Sequence, residues 1–217
     1  MSTKRLLLVN IIILIVLVGG GFAGYAYYNK SVNYLTTDNA QIAGQQVSIA
    51  APANGKLTGW EGKVGDSFTK DETIGTILTT GTDGQPTEMK VTLPTNGTVV
   101  QSNAVQNSFV EAGTPLAQVY DLNNLWVTAN IDETKIDEIA VGQDVDIYVD
   151  AFPNSTLKGK IQQIGLATAG TFSLLPSSNN TANYTKVTQV VPVKVSIDDN
   201  KGVGIVPGMN VTVRIHK

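Results

Sequence analysis

The sequence has no cysteine and one histidine, His216, a single residue from its C-terminal end. The first absence excludes a disulfide framework, a thiolate-bound metal, a cysteine nucleophile and a lipidated N-terminal cysteine as anchor. The second leaves no material for a histidine-based triad or zinc site. Charge is also scarce. Only 15% of the 217 residues are charged and 42% are hydrophobic, so a sizeable core is within reach. Beyond residue 30 there are 12 basic and 18 acidic residues. An acidic body repels phosphate backbones, which excludes nucleic acid as a partner. No glycine-rich phosphate loop is present. These gaps point away from an enzyme, and no catalytic, cofactor-binding or metal-binding residue is assigned.

What is present begins with Leu6–Tyr28, a run without a single charge, more than half of it Leu, Ile, Val or Phe. A helix of about 20 residues spans the roughly 30 Å hydrocarbon core of a bilayer. The run predicts a transmembrane helix over 6–28 after a cytoplasmic stub at 1–5. Lys4 and Arg5 hold the N-terminus in the cytoplasm, and Tyr25, Tyr27 and Tyr28 stand where an outer aromatic belt belongs. The competing reading is a cleaved signal peptide, with Gly24-Tyr25-Ala26 as the cleavage site. Under either reading the bulk of the chain is extracytoplasmic.

After the anchor the sequence reads as all-β. Short β-rich runs alternate with Gly, Asn, Asp and Pro, and stretches such as Val145–Val149 and Val211–Ile215 alternate strictly. The exception is Asp132–Ala140, which predicts a short helix capped by Asp132, facing Ile136 and Ile139 inward and ended by Gly142. An internal repeat organises the first half. Pro52-Ala53-Asn54-Gly55 recurs as Pro94-Thr95-Asn96-Gly97, and Ile74–Ile77 recurs as Leu116–Val119 at the same offset. Between them Val64, Ser67 and Phe68 recur as Val105, Ser108 and Phe109, so the repeat carries a slip of one position in its middle. Gly55 and Gly97 are expected at structural turns that need positive φ.

These residues carry a resemblance. Val47–Leu57 with Val64-Gly65-Asp66 is similar to the first half of a biotinyl/lipoyl-type domain, and residues 91–119 supply the second. Thr37-Asp38-Asn39-Ala40-Gln41-Ile42 resembles the strand that opens HlyD/EmrA-type membrane fusion proteins. Asp121–Asn130, Val141-Gly142-Gln143, Gly159–Ile164, Phe172–Pro176, Val187–Val193 and Pro207–Val213 resemble that family's β-barrel domain. The resemblance implies a lipoyl-like barrel-sandwich at 47–121 and a β-barrel at 122–217. Residues 29–46 would be a linker and the barrel's first strand. It also implies a function: an adaptor that docks on an inner-membrane exporter, forms a homo-oligomer and assists efflux or secretion of drugs and toxic compounds. Larger family members insert an α-helical hairpin between the lipoyl halves. Here only the short stretch between Leu78 and Val91 lies there, with Gly81, Gly84 and Pro86 in it, which reads as a loop and a shortened adaptor.

Two other classes compete with that function. Glu88-Met89-Lys90 is similar to the modified-lysine turn of biotin carriers, so a carrier modified at Lys90 is the first. The modification needs a lysine at a hairpin tip, whereas the tip falls at Gly81–Gln85 and Lys90 leads straight into a strand. The second is a cell-surface binding protein. Asp132, Glu133, Asp137 and Glu138 read as the wet face of one short helix, since a hard-cation site needs several convergent oxygens. Trp60 and Trp126 read as packing residues. Leu166–Gln189 sets Phe172, Leu174 and Leu175 among Gly, Ser, Asn and Thr. These three are the candidate partner contacts, with a plug closing one end of the barrel as the alternative.

Overall fold

Alternating apolar and polar residues need two faces, and strands supply them. The structure, a computed structural model, describes residues 3–81, 84–172, 188–199 and 202–217. It opens with a 31-residue helix, α1 (Thr3–Asn33). Among the described residues no helix is long and apolar enough to cross a membrane. The strands that follow are β1 (Tyr34–Ala43), β2 (Gln46–Ala50), β3 (Gly55–Trp60), β4 (Ser67–Phe68), β5 (Thr73–Thr80), β6 (Pro86–Thr92) and β7 (Gly97–Ser102). Next are β8 (Phe109–Val110), β9 (Pro115–Tyr120), β10 (Trp126–Asp132), β11 (Asp144–Val149), β12 (Thr156–Ile164), β13 (Val190–Ser196) and β14 (Asn210–His216).

The chain divides into two compact units. One contains a closed barrel in the order β1-β10-β13-β12-β11-β14. Its core follows the period of two: Val127, Ala129 and Ile131 from β10, Val145, Ile147 and Val149 from β11, and Val211, Val213 and Ile215 from β14 are all buried. β1 enters the barrel through antiparallel pairing with β14, interrupted by a bulge between Thr37 and Ala40. That bulge holds part of the quoted opening motif. Thr37 Oγ1 donates to the Asn130 carbonyl at 3.1 Å, and Asn130 Nδ2 donates to Asn39 Oδ1 at 3.0 Å. The extra residue is thereby pinned rather than free to slip.

The other unit is a sandwich of two four-stranded sheets, β2-β9-β7-β4 and β6-β5-β3-β8. Each sheet takes strands from both repeats, so neither half is complete alone. The core shows the same dependence. Ile49/Val91, Ala51/Leu93, Leu57/Val99, Ile74/Leu116 and Ile77/Val119 are pairs related by the repeat, all buried in one cluster. Burying a side chain of this size stabilises by roughly 1.5–3 kcal/mol.

The structure corrects the repeat alignment. Leu57 N donates to Ser108 O and Val99 N to Asp66 O; Asp71 N donates to Leu93 O and Gly113 N to Ala51 O. Lys70 N donates to Asn96 Oδ1 and Ala112 N to Asn54 Oδ1, each at 2.7 Å. Each bond in one half has its counterpart in the other at the offset that takes Gly55 to Gly97, with no slip. Phe68 therefore corresponds to Val110, not Phe109. Side-chain likeness misled because Ser67 and Phe109, both at exposed sites, are free to differ.

Gly55 and Gly97 require a second correction. Neither has positive φ; each is the first residue of a strand. Glycine is needed there because strands pass too close. A Cβ on Gly55 would lie 2.4 Å from the Leu78 carbonyl oxygen and 2.7 Å from Ile77 Cγ2. One on Gly97 would lie 2.3 Å from Val119 Cγ1 and 3.0 Å from the Tyr120 oxygen.

Two further expectations change. The stretch between Leu78 and Val91 is mostly strand: β5 runs on to Thr80 and β6 starts at Pro86, paired in unbroken register from Thr80↔Pro86 to Gly75↔Val91. The segment after Asp132 is a 3-10 helix, Glu133–Glu138, and the Asp132 side chain makes no capping bond. It lies 3.4 Å from Lys135 Nζ instead, an ion pair that competes with the cap. Ile139 is buried while Ile136 is half-buried, and Gly142 turns the chain at φ +94°.

Candidate partner-binding surfaces

The loop singled out by sequence lies largely outside the description. Phe172 ends a short 3-10 helix, Ala169–Phe172, and Leu174 and Leu175 fall outside the described residues. On the approach to that segment, Gly165 N donates to Pro192 O at 2.8 Å, and Leu166 is fully exposed. Lys90 stands exposed within β6 opposite Thr76. Trp60 packs against the sandwich core, and its Nε1 donates to Gly62 O and Ser102 Oγ, each at 3.0 Å. Among the described residues no group of acids, His or Cys is arranged to hold a metal.

Sequence reasoning missed a polar cluster on the barrel. Asp146 is the one buried charged residue among those described, 7% exposed. Register brings two cations and a histidine to it. Lys158 on β12 and Arg214 on β14 each stand directly opposite Asp146, and His216 lies two residues along β14. Arg214 Nη2 donates to Asp146 Oδ2 at 2.9 Å, Lys158 Nζ to Oδ1 at 3.4 Å, and His216 Nε2 lies 3.0 Å from Oδ2. The guanidinium also contacts the Tyr148 hydroxyl and lies 5.0 Å from the Tyr34 ring centroid, within cation–π range. Burial pushes the Asp146 carboxyl up, but the hydrogen bonds from Arg214, His216 and Lys158 outweigh it and hold the carboxyl below its ordinary value. Next to this cluster Lys217 N donates to Asn33 O at 3.0 Å, tying the C-terminus to the end of α1. The arrangement clamps β11, β12 and β14 together. The signal in the sequence was weak, because Asp146 sits in an ordinary alternating strand.

The sandwich carries an apolar groove of about 500 Å³, lined by residues that include Val64, Val99, Tyr120, Leu122, Val206 and Pro207. Val64 and Val206 are 66% and 41% exposed. An exposed apolar surface of this kind is suited to contact with another apolar group.

A lipoyl-type sandwich inserted in chain order between the first and second strands of a closed six-stranded barrel is the domain pair of membrane fusion proteins. The comparisons agree. A barrel-sandwich hybrid domain model of the YhbJ type matches residues 45–121, and a YknX-like β-barrel domain model matches residues 125–215. A protein of Bacillus subtilis (strain 168), named provisionally as the efflux system component YhbJ, is 44% identical over 99% of this chain and 94% of its own length. The multidrug export protein EmrA of Escherichia coli (strain K12) is 33% identical over 52% of this chain, a match that spans 29% of EmrA. Among solved structures, the membrane fusion protein Spr0693 from Streptococcus pneumoniae R6 has a TM-score of 0.57 at 15% identity, covering 85% of this chain and 98% of that one. ZneB from Cupriavidus metallidurans has a TM-score of 0.60 at 18% identity, covering 84% and 98%. These two likenesses show the fold. The chain belongs to the YhbJ family of efflux-system components, within the HlyD/EmrA-type membrane fusion proteins.

Proposed function

We propose that the protein is the membrane-anchored adaptor of an export system. It docks on an inner-membrane exporter, forms a homo-oligomer there and assists efflux of drugs or other toxic compounds. The likeness to YhbJ along 99% of this chain carries the reading, and relatives named for multidrug export support it. Its role is binding and assembly, without catalysis or a cofactor. Lys90, the residue a biotin or lipoyl carrier would modify, stands within a strand rather than at the hairpin tip.

The anchor rests on the sequence, the uncharged run Leu6–Tyr28 behind Lys4 and Arg5. The apolar side chains of Ile12–Val18 and Phe22 stand between 51% and 75% exposed, with no described residue covering them. A helix with its apolar side chains uncovered needs a bilayer or a partner as its solvent. In the single-pass arrangement the N-terminus is cytoplasmic and both β units are extracytoplasmic. Confinement to the membrane plane raises the effective concentration beside an exporter without any new contact.

Crosslinking of the full chain in native membranes tests the reading. The expected product contains a multi-pass exporter, and capture of no transporter would overturn the adaptor role. Phe172→Ala with Leu175→Ala is expected to weaken co-purification and drug tolerance while leaving the melting temperature unchanged. A loss of roughly 2–5 kcal/mol in stability instead would assign the loop to a plug in the barrel core.

A further inference from the structure

The two sandwich halves share one fold, so a feature confined to one half is not demanded by the fold. Their edge strands differ. β2 and β6 occupy equivalent places, each outermost in its sheet, but β2 has five residues and β6 has seven. Where β2 exposes the uncharged Gln46 and Ser48, β6 exposes Glu88 and Lys90. All of Pro86–Lys90 is exposed.

Backbone parity fixes which β6 groups face outward. Gly81 N donates to Gln85 O at 2.8 Å, and the register runs unbroken from there through Thr80↔Pro86, Leu78↔Glu88 and Thr76↔Lys90. Hydrogen-bonded and non-bonded pairs alternate along an antiparallel ladder. Thr87 and Met89 therefore bond inward to β5, while Glu88 and Lys90 aim N–H and C=O out of the sheet.

We propose that β6 is a self-pairing edge. Two copies of the chain join β6 to β6, antiparallel, about a two-fold axis through Met89. In that register Glu88 stands opposite Lys90 of the second copy, and Lys90 opposite its Glu88. These are the positions whose backbone groups point outward, so hydrogen bonds and ion pairs form at the same two sites. A lone edge charge repels a second strand and prevents pairing. Opposite charges set symmetrically about a two-fold axis do the reverse, because each meets its complement. Pro86, with no N–H, ends the ladder at the tip. The pairing does not depend on the exporter reading, since it needs only this chain.

The cysteine-free chain makes the test direct. At the axis the two Met89 Cα atoms fall about 4.5 Å apart in a non-hydrogen-bonded pair, within the roughly 4.4–6.8 Å a disulfide accepts. Thr87 stands opposite Val91 of the second copy, so the two Thr87 residues are about 14 Å apart. Full-length Met89→Cys in detergent, mildly oxidised, is expected to give a disulfide dimer at least five-fold more abundant than Thr87→Cys. Adding Glu88→Lys is expected to cut that dimer several-fold, and adding Lys90→Glu as well to restore it. In the otherwise native chain, sedimentation is expected to show the same loss with Glu88→Lys and recovery with Glu88→Lys plus Lys90→Glu. Equal dimer from Met89→Cys and Thr87→Cys, or no response to the charge exchange, would overturn the proposal. Capture of a different protein through Met89→Cys in native membranes, with no dimer, would assign the edge to another partner's strand and overturn it likewise.

Discussion

Gly65 and Asn107 occupy one backbone position in the two halves of the sandwich, with φ of +98° and +69°. Asp71 and Gly113 form a second such pair, at +66° and +87°. In each pair one half uses glycine and the other a residue that tolerates the left-handed region through its short polar side chain. The repeat thus needs positive φ at two turns in each half, neither of them Gly55 or Gly97.

Substitution at these turns has a defined sign. Asn107→Gly and Asp71→Gly are expected to leave stability within about 1 kcal/mol of the parent, since glycine adopts left-handed backbone without strain. Asn107→Val is expected to cost about 1–3 kcal/mol. Urea unfolding of the full chain in detergent reads both, and an innocuous Asn107→Val would contradict the conformational argument.

The two close-approach glycines are expected to respond differently. Gly55→Ala drives a Cβ into a backbone oxygen, the Leu78 carbonyl, which has nowhere to go. Gly97→Ala meets the Val119 side chain first. Each should destabilise by roughly 1–3 kcal/mol through overpacking. Val119→Ala should recover part of the Gly97→Ala loss, whereas Ile77→Ala should recover little for Gly55→Ala. A double-mutant cycle with no coupling between residues 97 and 119 would refute the contact.

Asp146 gives a prediction in pH. Its folded carboxyl titrates below the ordinary value, so the unfolded chain binds the proton more readily. The resulting stability is fully present above about pH 4, the ordinary aspartate value, and is lost as pH falls through the folded one. Asp146→Asn should flatten that acid limb. At neutral pH it should also cost about 1–3 kcal/mol by weakening the charge-assisted bonds to Arg214 and His216. Melting temperatures from pH 2 to 7 on both proteins provide the check, and parallel curves would remove Asp146 from the acid response.

Lys90 is expected to stay unmodified in protein purified from its native membrane. Intact mass should equal that of the unmodified chain, and streptavidin and anti-lipoate blots should be blank. A band abolished by Lys90→Arg would favour the carrier class over the adaptor.

The sequence by itself determined the class of structure and the approximate place of most strands. Period two in Val145–Val149 and Val211–Ile215 requires one buried and one wet face, a demand met within a few residues whatever the partner strand. The twofold motif Pro-x-Asn-Gly likewise announced two equivalent halves, since Asn54 and Asn96 each cap a backbone N–H of the other half. What only the tertiary structure decided is non-local. Each sheet mixes strands of both halves, the repeat offset is uniform because hydrogen bonds set it rather than side-chain likeness, and glycine at 55 and 97 answers to a strand that returns later in the chain. Asp146, Lys158, Arg214 and His216 converge because β11 pairs with both β12 and β14. No local propensity encodes that choice: an alternating strand accepts many neighbours, and burial of the whole barrel core selects among them.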